Sequence, residues 1–460
     1  GDAKAEEYIM KKYIFLNGEY AIPNVEFKLK YKSEPNSLNE NWWKNILAYV
    51  QTIKAAHDVT ICQQVEWNLR NIIQLDTQND SLNGYLYKIE RILFKIYRFR
   101  ENSVLLDMLK ECKTFFKRDK EKWIRCLVDE ATLYMDIEEF KVSKEKFEQA
   151  LESCKENSVR KEVQILVEDE YSRVLERTGH YYEAVNKLYV VEQYYQEVKN
   201  EKKLNNVKNR IGLNLSFIGD IERATEYLES LLFGNFNKKI DRNNILSCEV
   251  ANNLSLCYME AGLYKKALRL QNLLYQLYLR TQDTPVNYAT DILQNKGNIY
   301  LYEHKYYEAF KCFEQALNDE TNPYSKELIL ENYLYAKGFY ETNFEESITF
   351  FENQIRQTEM NYETCKMLAE MYFANQNYSK CAKLCKRVLN QIVYREERFI
   401  YISLDIMYMS SLKKTNKLTL RQRYSCYTRI ARYKQFIKRH VGCRSPYYRK
   451  IEECKLVLKG

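Results

Sequence analysis

The sequence has little of the two residues that interrupt helices, because its 460 residues include only 12 Gly and 5 Pro. Gly costs a helix backbone entropy and Pro removes an N–H donor, so their scarcity favours long helices with short connections. No run reaches the roughly 18 apolar residues of a membrane span, and the N-terminus lacks the pattern of a secretory leader. We therefore expect a helical protein without a membrane span, cytoplasmic or nuclear.

Residues that build metal and catalytic sites are also sparse. The chain has four His, and its 13 Cys are scattered, with Cys381 and Cys385 as the closest pair. A zinc site needs four clustered ligands, so we expect no metal and read the Cys as small buried side chains in a reducing compartment. Gly-rich phosphate loops, H-E-x-x-H and G-x-S-x-G are absent. We predict neither a cofactor nor an enzyme.

Hydrophobic residues, by contrast, make up 45% of the chain and charged residues 29%, which is enough to build a large core. The charge is unevenly placed. Residues 413–460 hold 15 Lys and Arg against Glu452 and Glu453, a net charge of +13, whereas the rest of the chain carries −5. The basic character therefore belongs to the C-terminal tenth.

A repeated pattern runs through the middle of the chain, with segments that start at 124, 165, 205, 248, 290, 328 and 362. Small residues occupy the eighth and twentieth positions, as Gly297 and Ala309 do, so that two antiparallel helices can approach closely. Bulky residues at the eleventh, seventeenth and twenty-fourth positions fill the seam between them. Gly179, Gly219 and Gly262 at the fifteenth position predict a left-handed helix end. Each hairpin leaves an apolar face that only the next hairpin can cover.

This pattern resembles the tetratricopeptide repeat family. The segments AGLYKKAL at 261–268, HKYYEAFKCFEQAL at 304–317 and TGHYYEAV at 178–185 are similar to the family's G-x-Y-x-x-A core. Spacings of 34 to 43 residues and the Asn252-Asn253-Leu254 triplet resemble the long-repeat subclass of kinesin light chain-type adaptors. The resemblance implies an all-α, right-handed α–α superhelix of stacked antiparallel helix pairs.

The chain is expected to divide into four parts. Residues 1–42 form a partly extended arm, since VEFKLKYK at 25–32 alternates apolar and basic residues. Residues 43–123 form degenerate repeats or an N-terminal cap, 124–395 form the seven repeats, and 396–460 form C-terminal helices with a basic end. The arm either lies in the repeat groove as an internal ligand, or it is disordered or packed at an edge.

The resemblance also implies a binding groove, because the first helix of each family hairpin lines the concave surface. Matching the family's groove positions residue by residue gives Arg173, Arg177, Asn206, Asn209, Arg210, Asn252, Asn253, Asn295, Asn298, Tyr302, Asn332, Phe339, Tyr340 and Lys366. Asn amides can pair with the backbone of an extended peptide whatever its sequence. Alternatively, they bond neighbouring helices or face water. We expect a non-enzymatic scaffold or adaptor that binds a linear peptide or helix of a partner protein.

The basic C-terminal segment leaves three interpretations open. It is a solvated helix that caps the repeats, a docking surface for an acidic protein, or an RNA- or DNA-binding surface, the alternative function. The cationic residues concerned are Arg421, Arg423, Arg429, Arg432, Lys434, Lys438 and Arg439. In the nucleic-acid interpretation, bases stack on the interleaved tyrosines, which are Tyr424, Tyr427, Tyr433, Tyr447 and Tyr448.

Overall fold

The computed structural model describes residues 116–235, 245–279, 287–320, 323–357, 361–394 and 397–459, with single positions at 106, 109–110, 113–114 and 240. The arm predicted for 1–42 and most of the cap predicted for 43–123 lie outside these residues. The chain divides into two compact units, one up to Val174 and one from Leu175 onward. No strand occurs in the part of the chain that the structure describes.

In its described residues, the first unit contains a short 3-10 helix, two complete helices and most of a third. They are Phe116–Arg118, α1 (Lys120–Asp136), α2 (Phe140–Glu156) and α3 (Lys161–Arg177), within which the unit ends. Asp119 caps α1, because its side chain accepts a hydrogen bond from the Lys122 backbone N–H. The ring of Phe147 is fully buried and stacks on Tyr171, with ring centres 5.4 Å apart.

The second unit continues the same alternation of helices. Its helices are α4 (Tyr181–Glu197), α5 (Glu201–Phe217), α6 (Ile221–Glu229) with a π-helical segment at Ser230–Asn235, α7 (Ile245–Glu260), α8 (Tyr264–Leu279), α9 (Asn287–Tyr302), α10 (Tyr306–Asp319), α11 (Pro323–Glu341), α12 (Glu345–Gln357), α13 (Tyr362–Ala374), α14 (Tyr378–Leu389), α15 (Arg398–Lys414), α16 (Leu420–His440) and α17 (Pro446–Lys459). Each predicted repeat segment thus holds two helices, and three further helices follow. The all-α fold predicted from the repeats is confirmed.

The seams inside the hairpins contain the small residues that the repeat predicts. Ala267, Ala309 and Ala369 have no exposed surface. In the sixth repeat, Ser347 Oγ donates a hydrogen bond of 2.7 Å to the Leu334 carbonyl, which brings the two helices together without an unpaired hydroxyl. The bulky partners Phe313 and Phe351 are fully buried. Small and bulky side chains therefore interlock as the pattern predicts.

The turns inside the hairpins share one backbone conformation. Gly179, Gly219 and Gly262 have φ of +76°, +82° and +74°, which confirms the left-handed helix end. The next backbone N–H then reaches back to the helix, as Leu263 N does to the Tyr258 carbonyl at 2.7 Å.

The C-terminal helices hold a buried polar cluster that anchors α16 to α15. Asp405 is buried on α15, where it accepts hydrogen bonds from Arg429 at 2.5 Å and from Tyr433 at 2.7 Å. Burial raises the pKa of Asp405, because the Arg429 guanidinium offsets only part of this shift. Thr419 begins α16 with a capping box that it forms with Gln422. Among the described residues no helix is both long and apolar enough to span a bilayer.

Candidate functional site

The first helices of repeats four to seven form one wall of a chamber of about 740 Å³. The opposite wall comes from the C-terminal helices α15 and α17. The lining side chains are Met259 from α7; Asn298, Leu301 and Tyr302 from α9; His304 and Tyr306 from the fifth turn and α10; Asn332, Tyr335 and Phe339 from α11; Glu363, Lys366, Met367, Glu370, Phe373 and Ala374 from α13; Ser403, Ile406, Met407 and Ser410 from α15; and Pro446, Tyr447, Lys450, Glu453, Cys454 and Val457 from α17.

The last helix is held across the repeat face at three points. The carbonyl of Arg444, just before α17, packs on the turn at Gly262. The hydroxyl of Tyr447 lies 3.1 Å from that of Tyr302 on α9. Further along, Lys450 Nζ donates a hydrogen bond of 2.6 Å to Glu370 on α13. The helix therefore bridges repeats four, five and seven and closes the chamber over them.

An apolar wall of the chamber is made of packed aromatic rings. Phe339 lies with its ring centre 4.8 Å from the ring of Tyr306 and 4.8 Å from that of Tyr335. Met367 and Met407 add flexible thioether side chains that can adapt to a ligand's shape. A bound apolar group would therefore meet rigid rings on one side and adjustable side chains on the other.

Four charged side chains of the chamber form two ion pairs. Lys366 pairs with Glu363, one helical turn earlier. Glu370 pairs with Lys450 and also accepts a hydrogen bond of 2.6 Å from the Tyr335 hydroxyl. Burial opposes the charge of Lys366, yet the carboxylates of Glu363 and Glu370 raise its pKa above the ordinary value. The chamber therefore offers both signs of charge to a ligand.

Two carboxylates near the chamber have opposite surroundings. Burial raises the pKa of Glu260 to about 7, and the nearby hydroxyls of Tyr447 and Tyr302 offset only part of that shift. The Glu260 Oε2 atom is buried and has no hydrogen-bond partner. Burial also opposes ionisation of Glu370, but Lys450 and Lys366 outweigh it and lower its pKa to about 2. Glu370 is therefore anionic at neutral pH, whereas Glu260 exchanges its proton there.

Five of the predicted groove residues line the chamber, and they come from three successive first helices. They are Asn298, Tyr302, Asn332, Phe339 and Lys366. Tyr340, which was predicted with them, instead packs on α10 against Tyr307 and Phe310, with ring centres 5.1 and 5.8 Å away.

Four of the other predicted amides bond to each other across neighbouring repeats. Asn253 Nδ2 donates to Asn209 Oδ1 at 3.1 Å, and Asn295 Nδ2 donates to Asn252 Oδ1 at 2.9 Å. Asn252 Oδ1 also accepts from Gln271 at 2.9 Å. These four Asn side chains therefore bond neighbouring helices, which is one of the alternatives to peptide binding that the sequence left open.

The remaining groove candidates are not among the side chains that line the chamber. Arg210 is buried and pairs with Glu176 at 2.9 Å. Arg173, in the first unit, pairs with Glu170 at 3.5 Å. Arg177 and Asn206 are exposed on their helices. The assignment of a partner-binding role to these four residues stays a prediction.

Sequence reasoning missed several lining residues. Glu363 and Glu370 occupy the second and ninth positions of the seventh repeat, so the family's groove positions could have identified them. Tyr447 and Lys450 follow no repeat position, because they come from a helix that folds back onto the repeats. No sequence periodicity could have placed them here.

Residues of the basic C-terminal segment have different surroundings. Arg429 is bound to Asp405, and Lys434 is bound to Glu452 at 2.5 Å. Arg423 is half-buried, whereas the other predicted cations are exposed, namely Arg421, Arg432, Lys438 and Arg439.

Comparison with known proteins gives a fold but no sequence relative, since no family model and no curated protein matches the chain. The apo form of the quorum sensor NprR from B. thuringiensis is similar over 80% of this chain and 99% of its own, with a TM-score of 0.54 and 14% identity. NprR in complex with its cognate peptide NprX covers 75% of this chain and 99% of its own at a TM-score of 0.48 and 13% identity. A tetratricopeptide repeat protein from Parabacteroides merdae matches 64% of this chain and 99% of its own, with a TM-score of 0.39 and 14% identity.

The likeness to apo NprR concerns the fold alone, because the identity is low. It agrees with the residue pattern, in which small side chains recur at buried seam positions, and with the helix pairs that this pattern forms. The kinesin light chain-type subclass stays a prediction. By its repeat pattern, its helix pairs and its fold likeness, the chain has a helical repeat fold of the tetratricopeptide type.

Proposed function

We propose that the chain is a non-enzymatic binding protein that holds a short peptide segment of a partner in the chamber of repeats four to seven. The observation that carries this proposal is the concave space of about 740 Å³ whose lining includes Asn298, Tyr302, Asn332, Phe339 and Lys366. Its volume lies within the roughly 300–1,000 Å³ of ordinary ligand sites. It has room for a few residues of a peptide rather than for a long segment.

The side chains of the chamber match the chemistry of a peptide. Asn298 and Asn332, on consecutive first helices, offer amide donors and acceptors for a peptide backbone. The rings around Phe339 suit an apolar side chain of the ligand. The pairs Glu363–Lys366 and Glu370–Lys450 can turn towards charged termini or side chains of the ligand.

The position of α17 limits the length of the partner segment that the chamber can take. Helix α17 already crosses the face formed by repeats four, five and seven. A long segment could follow that face only after α17 had been displaced. A short peptide or the end of a partner chain can bind beneath it.

The fold likeness is compatible with this proposal without carrying it. NprR, whose apo form has a similar fold, is a quorum sensor, and it has also been solved with its cognate peptide. That ligand is a property of NprR. For the present chain, the proposal depends on the chamber and on the side chains that line it.

Affinity selection from a synthetic random hexapeptide library, followed by calorimetric titration of the retained peptides, tests the proposal. We expect retained peptides to share an apolar residue and to bind with one site per chain. In Ala374→Trp, a bulky ring occupies the chamber from a solvent-exposed position, and binding should weaken by about tenfold or more. Retention of no peptide above background would refute the proposal.

Ala431→Trp is the matched control, since Ala431 is exposed on α16 and does not line the chamber. It should bind the selected peptides as the unmodified chain does. A second pair of variants tests the amides. Asn298→Ala with Asn332→Ala should weaken binding, whereas Asn272→Ala with Asn318→Ala, at exposed positions on second helices, should not. If all four variants bind the selected peptides with equal affinity, the peptide site is not in the chamber.

A further inference from the structure

Helix α16 has a cationic outer face that the chamber does not use. The helix contains seven Arg and Lys and no Asp or Glu, and no acidic residue occurs anywhere between 413 and 451. Two of the seven cations are neutralised locally, because Arg429 pairs with Asp405 and Lys434 with Glu452. Most of the charge of the helix is therefore not neutralised by these two pairs.

The exposed cations follow one stripe along the helix. Arg421, Arg432 and Arg439 are separated by eleven and seven residues, spacings that return to the same side of an α-helix. All three are exposed, as is Lys438 beside them. Among the described residues, no carboxylate lies within ion-pair distance of these four side chains. Lys414 and Lys417, in the segment before the helix, are exposed as well.

Two large apolar side chains are exposed at the beginning of this stripe. Leu420 is 84% exposed and Tyr424 is 79% exposed, the highest values among large hydrophobic residues in the described part of the chain. Water-exposed apolar groups within a cationic surface are typical of interfaces, where a partner covers the apolar groups and pairs with the surrounding charges. The remainder of α16 buries its apolar residues normally, as Ile430 and Ile437 show.

The burial of the tyrosines distinguishes a protein partner from a nucleic acid. Stacking of bases needs a series of exposed rings along the backbone path. Tyr433 and Tyr447 are buried, and the ring of Tyr448 lies under Lys434 Nζ at 5.2 Å. Of the five tyrosines in this segment, Tyr424 is exposed, Tyr427 and Tyr448 are half-buried, and Tyr433 and Tyr447 are buried. The surface thus has the charge for an anion but lacks the row of rings that a single strand would use.

We infer that the outer face of α16 docks an acidic segment of a partner protein that also carries apolar side chains. Carboxylates of the partner pair with Arg421, Arg432 and Arg439, for which bidentate Arg–carboxylate geometry is favourable. Apolar side chains of the partner cover Leu420 and Tyr424. No residue of α16 lines the chamber, so the inference is independent of the proposed peptide site.

Fluorescence anisotropy with three labelled probes tests this inference, namely a poly(Glu-Tyr) copolymer, poly-L-glutamate and single-stranded oligo(dT). The full chain should bind the copolymer most tightly, and more weakly as salt increases. Reversal of three charges in Arg421→Glu, Arg432→Glu, Arg439→Glu should weaken copolymer binding by about tenfold or more. Leu420→Ser with Tyr424→Ser should abolish the preference for the copolymer over poly-L-glutamate.

The matched control reverses three exposed charges on second helices of the repeats, in Lys265→Glu, Arg269→Glu, Lys383→Glu. Both triple variants change the net charge equally, and their helicity is compared by circular dichroism. Retained copolymer binding in this control supports the α16 site. An equal loss in both triple variants would mean attraction by overall charge and would refute it. Tighter binding of oligo(dT) than of the copolymer would overturn the choice of a protein partner.

Discussion

At the scale of the residue, position fifteen of the repeat requires one backbone conformation whatever side chain is present. Gly occupies it in three repeats, but Glu138, His304, Thr342 and Gln376 occupy it in the other four, all with φ between +54° and +66°. A residue other than Gly in this conformation costs roughly 1–2 kcal/mol. This strain is tolerated because the turn must reverse the chain within a few residues. Only then do the seam side chains of the two helices meet.

Close approach at the seam gives the first prediction, in which Gly297→Ala destabilises the fold. A Cβ atom at Gly297 would lie 2.6 Å from the buried ring of Phe313, which cannot move away. Overpacking of this kind costs about 1–3 kcal/mol, more than the helix propensity gained from Ala. The midpoint of urea unfolding should fall accordingly.

Gly234→Ala provides the control for this substitution. A Cβ atom at Gly234 would meet nothing within 4 Å. Its unfolding midpoint should stay unchanged or rise slightly. If the two variants have the same midpoint, the seam at Gly297 is not closely packed.

The second prediction concerns the pH dependence caused by Glu260. Its pKa is raised from 4.5 to about 7 in the folded chain, so the native state binds this proton more tightly than the unfolded state does. The stabilisation by the proton is complete below about pH 4.5 and is lost as the pH rises through 7. Between pH 5 and 8, the unmodified chain should lose about 2–3 kcal/mol of unfolding free energy relative to Glu260→Gln.

Urea unfolding at a series of pH values measures this difference. Glu341→Gln, the same substitution at an exposed position, is the control and should reproduce the pH profile of the unmodified chain. Parallel profiles for Glu260→Gln and the unmodified chain would show that Glu260 ionises normally in the fold.

At the scale of the element, the docking of α17 depends on a close backbone contact. The carbonyl oxygen of Arg444 lies where a Cβ atom at Gly262 would be, at a separation of only 2.0 Å. The turn at Gly262 must therefore lack a side chain for two reasons, its φ of +74° and this contact. The chamber is complete only when this contact holds α17 in place.

The third prediction is that Gly262→Ala releases the C-terminal helix. Hydrogen exchange of the backbone amides in 446–459 should become faster, because the added Cβ atom pushes the Arg444 backbone away from the turn. Peptides selected for the chamber should bind more weakly in consequence. Both effects arise without any change to a residue that lines the chamber.

Gly179→Ala distinguishes the effect of the lost Gly262–Arg444 contact from the effect of backbone strain. Gly179 has nearly the same φ of +76°, but a Cβ atom there would meet nothing within 4 Å. It should cost about 1 kcal/mol from strain alone and leave exchange in 446–459 unchanged. If both variants leave exchange in that helix unaltered, the contact at Gly262 does not hold α17.

At the scale of the whole molecule, the described chain consists of units that are each stabilised by their own contacts. Helix pairs of a repeat array pack mainly on their neighbours, so distant repeats need not unfold together. The second unit departs from this rule, because its C-terminal helices return to early repeats. His440 Nδ1, for example, lies 3.3 Å from Asp220 Oδ1, although 220 residues separate them in sequence.

The fourth prediction is therefore that the two units unfold in separate transitions. Phe147 in the first unit and Phe313 in the second are both fully buried, and replacement by Ala costs roughly 3–5 kcal/mol at such sites. Scanning calorimetry should show Phe147→Ala lowering one transition and Phe313→Ala lowering another. A single transition, lowered equally by both variants, would show that the chain unfolds as one cooperative body.

Much of the fold was predictable because each repeat is a local pattern. The small residues at Ala267 and Ala309 and the turn at Gly262 lie within one hairpin, so spacing along the chain determines which side chains meet. The chamber was only half predictable. Asn298, Asn332 and Lys366 follow groove positions, whereas Tyr447 and Lys450 reach the chamber through a long-range return of the chain that leaves no periodic signal.

The helices, the hairpin turns, the buried seams and the positive charge near the C-terminus depend on residues close together in the chain, so local spacing was enough to predict them. The folded structure was needed to show where α17 lies, which Asn side chains bond to each other and which line a chamber, and which cations remain exposed on α16. Those outcomes depend on contacts between residues up to hundreds of positions apart, and local spacing carries no information about them.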